Sequence, residues 1–300
     1  MIAKVFIFII FKFLCDLCGF ARVTAFYSFT SCYYLPCAHR ISAMDIMAIA
    51  LQSGSNGNCI YVEADGVKLL FDAGINGKQA KERLAAHGRD ISKIDAVIIS
   101  HDHGDHVRHA GVFQRKFGLP LYFTQKTYDT SVKRHPLGKF SDVRFFCSDG
   151  RLQFGGVTVE AISTPHDASD GAAFVISSGD KRLGIMTDLG HIFNGLPETL
   201  ESLDAVFLES NYDPEMLETG LYPAFLKKRI KGPQGHLSNI EAAELLKALS
   251  GKRLKWACLS HLSEQNNNAT LALKTHRDIL QQDLALHIAD RYASTPPLFI

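Results

Sequence analysis

The sequence lacks an excess of charge of either sign, and it lacks long hydrophobic runs. Its 300 residues include 32 Lys and Arg against 31 Asp and Glu, which gives a formal net charge of +1. No bulk basic field therefore attracts a polyanion, and any contact with nucleic acid has to be local. No apolar run approaches the roughly 20 residues of a membrane-spanning helix, so no stable membrane association is expected. The G-x-S-x-G motif is also absent, which argues against a serine nucleophile on a strand-to-helix turn.

The first 43 residues differ from the remainder of the chain. We treat residues 1–43 as an N-terminal extension and residues 44–300 as a single domain. The stretch at 5–11 is wholly apolar and lies between two lysines, which is typical of a short signal-peptide core or anchor. A different explanation, which we favour, is that translation begins at Met44 or Met47, directly before the first predicted core strand.

The cysteine content suits a reducing compartment. The chain has seven cysteines, an odd number, and Cys59, Cys147 and Cys258 are scattered through apolar, strand-like runs. We predict that these three are reduced core residues and that the protein is cytoplasmic. Cys15 and Cys18 have the C-x-x-C spacing of a zinc knuckle, but their apolar and irregular flanks disfavour that interpretation.

The most informative segment is Ser-His-Asp-His-Gly-Asp-His at residues 100–106. It follows the apolar run at 96–99, which is typical of a buried strand. Because alternate residues of an extended chain lie on one face, His101 and His103 can reach the same point. This pattern predicts that the two imidazoles bind one metal ion.

The second half of the same segment predicts a second metal position. Asp105 and His106 come where the chain turns into a predicted helix at 107–117, so they can face a neighbouring point. The alternative is a His-rich surface loop without a specific ligand. The alternation of His with Asp and Gly at the end of a core strand favours a site for two cations.

An internal repeat predicts the architecture. Residues 62–74 and 175–190 each have the pattern of a strand, a tight turn, a second strand and then Asp-x-Gly. Each is followed by a helix-like stretch and a strand that opens with Asp-Ala-Val, at 95–97 and 204–206. Unless the two hairpins are alike by chance, the chain has two similar halves. We therefore predict an α/β fold (α+β in some schemes), a four-layer αββα sandwich of two packed sheets with helices outside.

The H-x-H-x-D-H pattern after a hydrophobic strand resembles that of metallo-β-lactamase-fold hydrolases. Three later segments resemble the remaining motifs of that superfamily in the expected order, and they contain His166, Asp188 and His261. The resemblance extends from about Met44 to the C-terminus. It is closest to the bacterial WalJ (YycJ)-like exonuclease branch, on the segments at 53–58, 209–213, 235–239 and 261–267.

The resemblance implies a complete set of metal ligands. One ion would be bound by His101, His103 and His166, the other by Asp105, His106 and His261, with Asp188 bridging both. Nitrogen and oxygen donors without thiolate suit Zn²⁺, with Mn²⁺ as the alternative. Two such ions can lower the pKa of a shared water towards about 7 and so provide hydroxide as the nucleophile. Asp105 is thus expected to be catalytic as well as a ligand.

Two further residues are candidates for supporting roles. His236 lies before a predicted helix at 240–249, and a similar His in phosphodiesterase members of the superfamily assists the leaving oxygen. It could instead only cap or pack against the helix. Asp72 is expected to accept a hydrogen bond from a ligating imidazole, although it could be merely a turn residue.

A basic run and two tyrosines are weaker candidates for contacts with nucleic acid. The run at 227–231 contains four cationic residues and could bind DNA phosphates, or it could be a solvated helix face. Tyr212 and Tyr222 could stack on bases. The loop at 53–58 offers backbone N–H groups near the site, but a hairpin turn explains it equally well.

The resemblance implies a metal-dependent phosphodiesterase that acts on DNA. By resemblance it would be an exonuclease that degrades double-stranded DNA in the 5′ to 3′ direction. Two alternatives remain: a thioester hydrolase of the glyoxalase II type, which shares the metal ligands, and a regulatory member of the fold without turnover.

Overall fold

Two seven-stranded sheets pack face to face in the computed structural model, which describes residues 45–249, 253–281 and 283–300. The N-terminal extension and its cysteines lie outside the described residues. The first sheet has the strand order β14-β1-β2-β3-β4-β5-β6. Its strands are β1 (Ile46–Gln52), β2 (Cys59–Ala64), β3 (Val67–Phe71), β4 (Ala96–Ile98), β5 (Leu121–Thr124), β6 (Val143–Phe146) and β14 (Leu298–Phe299).

The second sheet is built in the same way from the other half of the domain. Its strand order is β13-β12-β11-β10-β9-β8-β7. The strands are β7 (Arg151–Phe154), β8 (Val157–Ser163), β9 (Ala172–Ser178), β10 (Lys181–Met186), β11 (Ala205–Glu209), β12 (Trp256–Ser260) and β13 (Ala285–Ile288).

Helices connect the strands and cover the outer faces of the sheets. In the first half they are α1 (Gly77–Ala86), α2 (Gly104–Val107), α3 (Ala110–Phe117) and α4 (Gln125–Arg134). In the second half they are α5 (Leu196–Glu201), α6 (Pro214–Thr219), α7 (Ala224–Ile230), α8 (Asn239–Ala248) and α9 (Ala269–Leu280). None of the helices in the described ranges has the length and hydrophobicity needed to cross a bilayer.

The two halves repeat one topology, as the sequence predicts. In each half three antiparallel strands, β1-β2-β3 or β8-β9-β10, continue into three parallel ones. The Asp of each Asp-Ala-Val segment makes the same contact, since Asp95 accepts from the Lys68 N–H at 2.7 Å and Asp204 accepts from the Arg182 N–H at 2.8 Å. The repeat is therefore structural and not a chance likeness of two hairpins.

Three buried layers confirm the predicted αββα sandwich. Phe71 and Phe174 belong to the layer between the sheets, with ring centroids 5.1 Å apart. A second layer lies under α1 and α3, where Phe113 is fully buried, and a third lies under α5, α8 and α9, where Leu246 is buried. Strands that are buried on both faces explain the continuous apolar run at 96–99.

Some predicted boundaries differ from the structure. The helix predicted at 107–117 is two helices, α2 and α3, interrupted at Arg108 and His109. Cys59 and Cys258 are buried as predicted, but Cys147 follows β6 and is exposed. Its position directly after an apolar strand explains the error, because the chain turns to the surface there.

A buried histidine makes the stability of the fold depend on pH. His276 on α9 is fully buried, its Nδ1 lies 2.9 Å from the Ala272 carbonyl oxygen, and its Nε2 has no hydrogen-bond partner. Burial lowers the pKa of its imidazole, and the contact with the carbonyl opposes that effect only partly. The unfolded chain therefore binds more protons below the ordinary histidine pKa of 6.5. This contribution to stability is present above that pH and is lost as the pH falls towards the folded pKa.

We expect His276→Leu to weaken the pH dependence of the free energy of unfolding. The slope below pH 6.5 should fall by up to about 1.4 kcal/mol per pH unit, which corresponds to one proton. Urea unfolding of both proteins between neutral and mildly acidic pH measures it. Leu273→Ala on the same helix is the control, because it removes apolar contacts but no titratable group. Equal slopes for wild type and His276→Leu would contradict the expectation.

Candidate metal centre

The predicted ligands come together at one end of the sandwich, although they are far apart in sequence. The first motif follows β4, His166 follows β8, Asp188 follows β10 and His261 follows β12. Because these segments follow strands β4, β8, β10 and β12 of two facing sheets, both halves of the molecule contribute to one site. Their ligand atoms fall into overlapping groups in which all the atoms lie within 4.8 Å of one another.

The first group consists of three imidazoles, those of His101, His103 and His166. The His101 ring centroid lies 4.7 Å from that of His103 and 5.3 Å from that of His166, and the latter two are 5.0 Å apart. Burial lowers the pKa of all three rings, most strongly that of His101, where the neighbouring imidazoles add to the effect. Neutral rings keep a lone pair for a metal ion.

The second group combines the Asp105 carboxylate with the imidazoles of His106 and His261. Asp105 Oδ2 lies 3.5 Å from His106 Nε2 and 3.4 Å from His261 Nε2. Burial lowers the pKa of His261, but the carboxylates of Asp188, Asp105 and Glu209 outweigh it and raise that pKa to about 10. The negative field of the carboxylates that raises this pKa also favours a metal cation at the same position.

Asp188 lies between the two groups. Its Oδ2 is 3.4 Å from His106 Nε2, and its Oδ1 is 3.7 Å from His166 Nε2 and 3.6 Å from His261 Nδ1. Asp188 Oδ2 and His101 Nε2 are both buried without a hydrogen-bond partner. Buried polar atoms are costly when unpaired, so these two orphaned atoms fit a site that binds divalent cations.

Asp72 lies behind the ligands and holds two of them. Its Oδ2 is 2.7 Å from His106 Nδ1, and its Oδ1 accepts from the Ser100 N–H at 2.8 Å. The Ser100 hydroxyl also lies 2.9 Å from His101 Nδ1. A carboxylate on the second ring nitrogen fixes the imidazole so that the other nitrogen faces the metal position.

Three residues of the centre have left-handed backbone conformations. The φ angle is 67° at Asp72, 56° at Asp188 and 57° at His261. Residues other than glycine adopt this region at a cost that the surrounding structure has to offset. These strained residues lie where the chain turns after a strand, and the turns direct their side chains into the site.

Asp102 connects the first motif to the loop that carries His166. Its side chain is fully buried and accepts from Arg134 Nη1 at 2.6 Å and from the N–H and hydroxyl of Ser169, each at 2.8 Å. The position between the two ligand histidines of the motif is therefore structural. It fixes His101 and His103 relative to His166.

Glu209 is a functional candidate that the sequence analysis missed. It ends β11, is fully buried, and its Oε1 lies 2.6 Å from His236 Nδ1. Burial would raise the pKa of Glu209, but the imidazoles of His236 and His261 lower it below its usual range. An acidic residue at the end of an otherwise apolar strand is the signal that could have indicated it.

His236 lies over the centre with its Nδ1 directed at Glu209. Its ring centroid is 4.9 Å from that of His166 and 5.2 Å from that of His261, and Nδ1 is 3.8 Å from Asp188 Oδ1. The helix α8 that follows is capped by Ser238 and not by His236. His236 is thus placed at the metal centre, which a capping or packing role does not require.

The loop at 53–58 supports the centre through side chains as well as backbone. The Ser53 hydroxyl accepts from the His261 N–H at 2.8 Å, and Asn58 Nδ2 lies 3.3 Å from Asp105 Oδ2. On the opposite side, Asn211 Nδ2 donates to the His261 carbonyl at 2.8 Å. These contacts hold the second group from both halves.

A cavity of about 340 Å³ opens onto the centre. Tyr222 and Arg229 line it together with His103, Asp188 and His236. Tyr212, the other tyrosine suggested for base stacking, is instead buried in a small apolar cluster.

The chain matches the family model of the beta-lactamase superfamily domain over residues 68–261. It is 35% identical over 250 residues to the exodeoxyribonuclease WalJ of Streptococcus pneumoniae, which covers 82% of this chain and 93% of that protein. It is 33% identical to the exodeoxyribonuclease YycJ of Bacillus anthracis, over 77% of this chain and 88% of that protein.

The metallo-beta-lactamase fold protein YhfI of Bacillus subtilis has the same architecture. The two structures superpose with a TM-score of 0.64 at 18% identity, over 84% of this chain and 99% of YhfI, so this likeness concerns the fold alone. Taken with the strand order and the two ligand groups, the matches identify this chain as a member of the beta-lactamase superfamily, in the branch of the WalJ and YycJ proteins.

Proposed function

We propose that the protein is a metal-dependent phosphodiesterase that degrades DNA as an exonuclease. The observation that carries the proposal is the pair of ligand groups joined by Asp188, with His236 and its partner Glu209 above them. The names of the WalJ and YycJ relatives support DNA as the substrate. By resemblance we propose the 5′ to 3′ direction on double-stranded DNA.

The residues present fit two divalent ions. His101, His103 and His166 would hold one, Asp105, His106 and His261 the other, and Asp188 would contact both. The donors are nitrogen and oxygen only, which suits Zn²⁺, with Mn²⁺ as the alternative. Bound ions of this kind supply a water of lowered pKa as nucleophile and stabilise charge on phosphoryl oxygens.

His236 is the proposed proton donor to the leaving oxygen. Glu209 accepts from its Nδ1, which fixes the ring and leaves Nε2 as the nitrogen that can serve the cavity. Glu209 is itself held by the backbone N–H groups of Leu189 at 3.1 Å and Leu237 at 3.3 Å. This arrangement resembles an acid–base histidine oriented by a buried carboxylate.

The ligands alone do not separate phosphodiester from thioester hydrolysis. A direct comparison does: release of labelled nucleotides from a duplex with 5′-phosphate ends against hydrolysis of a glutathione thioester. We expect turnover of the DNA and not of the thioester. The reverse result would replace the proposed function with a thioesterase of the glyoxalase II type.

We also propose that the protein is cytoplasmic and that residues 1–43 are not part of the catalytic domain. Cys59 and Cys258 are unpaired and buried in the core, as expected in a reducing compartment.

We expect Asp188→Asn to abolish nearly all nuclease activity and to impair metal loading. The amide removes the charge shared by both ligand groups and leaves the surrounding imidazoles without their counter-ion. Elemental analysis after metal loading, combined with nucleotide release, measures both effects. Asp278→Asn is the matched control, since Asp278 forms an exposed surface pair with Lys274 on α9. Undiminished activity of Asp188→Asn would remove Asp188 from its proposed role.

We expect His236→Gln to slow cleavage of DNA by roughly 10²- to 10⁴-fold, the range of general acid catalysis. A p-nitrophenyl phosphodiester should be affected much less, because its leaving group departs without a proton. The comparison of kcat for both substrates, with metal content determined in parallel, measures the effect. An equal loss on both substrates, or a loss of bound metal, would show that His236 acts in another way.

A further inference from the structure

The two most exposed large apolar side chains of the described residues lie beside the metal cavity. Leu221 is 97% exposed and Phe225 is 74% exposed, and they are four residues apart. Single exposed apolar residues are ordinary, but these two are next in sequence to Tyr222 and Leu226, which line the metal cavity, and so indicate a binding surface.

Helix α7 connects this surface to the metal centre. Leu226 and Ile230 lie one turn apart on α7 and line the metal cavity, together with Tyr222, which precedes the helix. Phe225 and Lys228 line a second cavity of about 400 Å³, and Arg229 lines both. A ligand that begins at the metal ions can therefore continue past Arg229 to the Phe225 ring.

The helix is fixed relative to the metal ligands. Arg229 Nη2 donates to Asp167 Oδ1 at 3.0 Å, and Asp167 follows the ligand His166 directly. The Asp167 N–H also donates to the Gln234 carbonyl at 3.0 Å, which ties the segment after α7 to the same loop. A surface on this helix is thus tied to the loop that carries His166.

The charge of the helix suits a polyanion. Lys231 pairs with the Glu218 carboxylate and Arg229 with Asp167, so these two cations are partly neutralised, whereas Lys227 donates to the Glu218 backbone carbonyl and keeps its charge. Lys228 is exposed and shares the second cavity with the Phe225 ring. A cation and an exposed aromatic ring therefore face the same space, in a protein that otherwise has almost no net charge.

We propose that Leu221, Phe225 and Lys228 form a base platform for an unpaired nucleotide at the DNA end. The inference rests on the proposed function, and it specifies which form of the DNA end binds beside the metal centre. The Phe225 ring stacks on a base, Leu221 extends the apolar surface, and Lys228 neutralises the backbone phosphate. Bases inside a duplex are stacked on both faces, so we assign the platform to a frayed or single-stranded end, whose base is free to enter the second cavity.

Binding of a fluorescent single-stranded oligonucleotide tests the platform without turnover. In an Asp188→Asn background, Phe225→Ala should weaken binding by roughly 5- to 150-fold, the equivalent of one stacked base. Phe225→Trp should retain it, because the ring remains. Phe145→Ala is the matched control: Phe145 is 49% exposed on the edge strand β6 and lines neither cavity.

Salt dependence and a second substrate distinguish a nucleic acid platform from other uses of the surface. Lys228→Ala should reduce the slope of log Kd against log salt concentration by about 1, one phosphate contact. In otherwise wild-type protein, Phe225→Ala should reduce kcat/KM for DNA at least fivefold more than for bis(p-nitrophenyl) phosphate.

The outcomes separate the platform from the proposed function. If the wild-type enzyme releases no nucleotides from DNA, the proposed function fails and the platform with it. If DNA is degraded but Phe225→Ala binds the oligonucleotide as tightly as Phe145→Ala does, only the platform is wrong. The exposed pair would then be assigned to contact with a protein.

Discussion

A buried carboxylate surrounded by imidazoles is the constraint on which the rest of the site depends. Asp188 is almost fully buried and lies within 3.4–3.8 Å of four histidine nitrogens. Charges in such surroundings are tolerated only when they are paired, so neither the carboxylate nor the imidazoles can be placed independently. The opposite pKa shifts of His101 and His261 show how the two ligand groups divide that charge. The rings of the first group are neutral, whereas the second group lies in the negative field of the carboxylates, which is what raises the pKa of His261.

The remainder of the structure fixes the positions of these groups. Asp72, Asp102 and Glu209 are buried carboxylates that do not belong to the predicted ligand set, and each fixes a histidine or a ligand-bearing loop. Ligand positions therefore depend on residues from both sheets. A centre supported in this way is pre-organised, which is what transition-state stabilisation by fixed charges requires.

Local patterns in the sequence predict only part of this centre. His101, His103, Asp105 and His106 could be assigned because one strand end places them together within six residues. His166, Asp188 and His261 carry no such local signal, and only the resemblance to a family connected them. Glu209 was missed because its partner, His236, is 27 residues away in sequence, and only the folded chain brings the two side chains into contact. The repeat predicted the sandwich, since hairpin periodicity is local. The break between α2 and α3 was not predictable, because the His109 N–H at the break donates to the carbonyl of Ala73, which is far away in sequence.

The Asp-x-Gly turn that ends each hairpin has a different role in each half of the domain. Each hairpin ends in Asp-x-Gly with the Asp in a left-handed conformation, at Asp72 and at Asp188. Leu69 pairs with Ala96 just as Leu183 pairs with Ala205, so the strands are in equivalent register. Asp72 follows Leu69 by three residues, whereas Asp188 follows Leu183 by five. Two extra residues extend a strand by roughly 7 Å. That difference in length places Asp72 behind the predicted ligands and Asp188 among them, so the repeat yields one residue that orients histidines and one that lies between the two ligand groups.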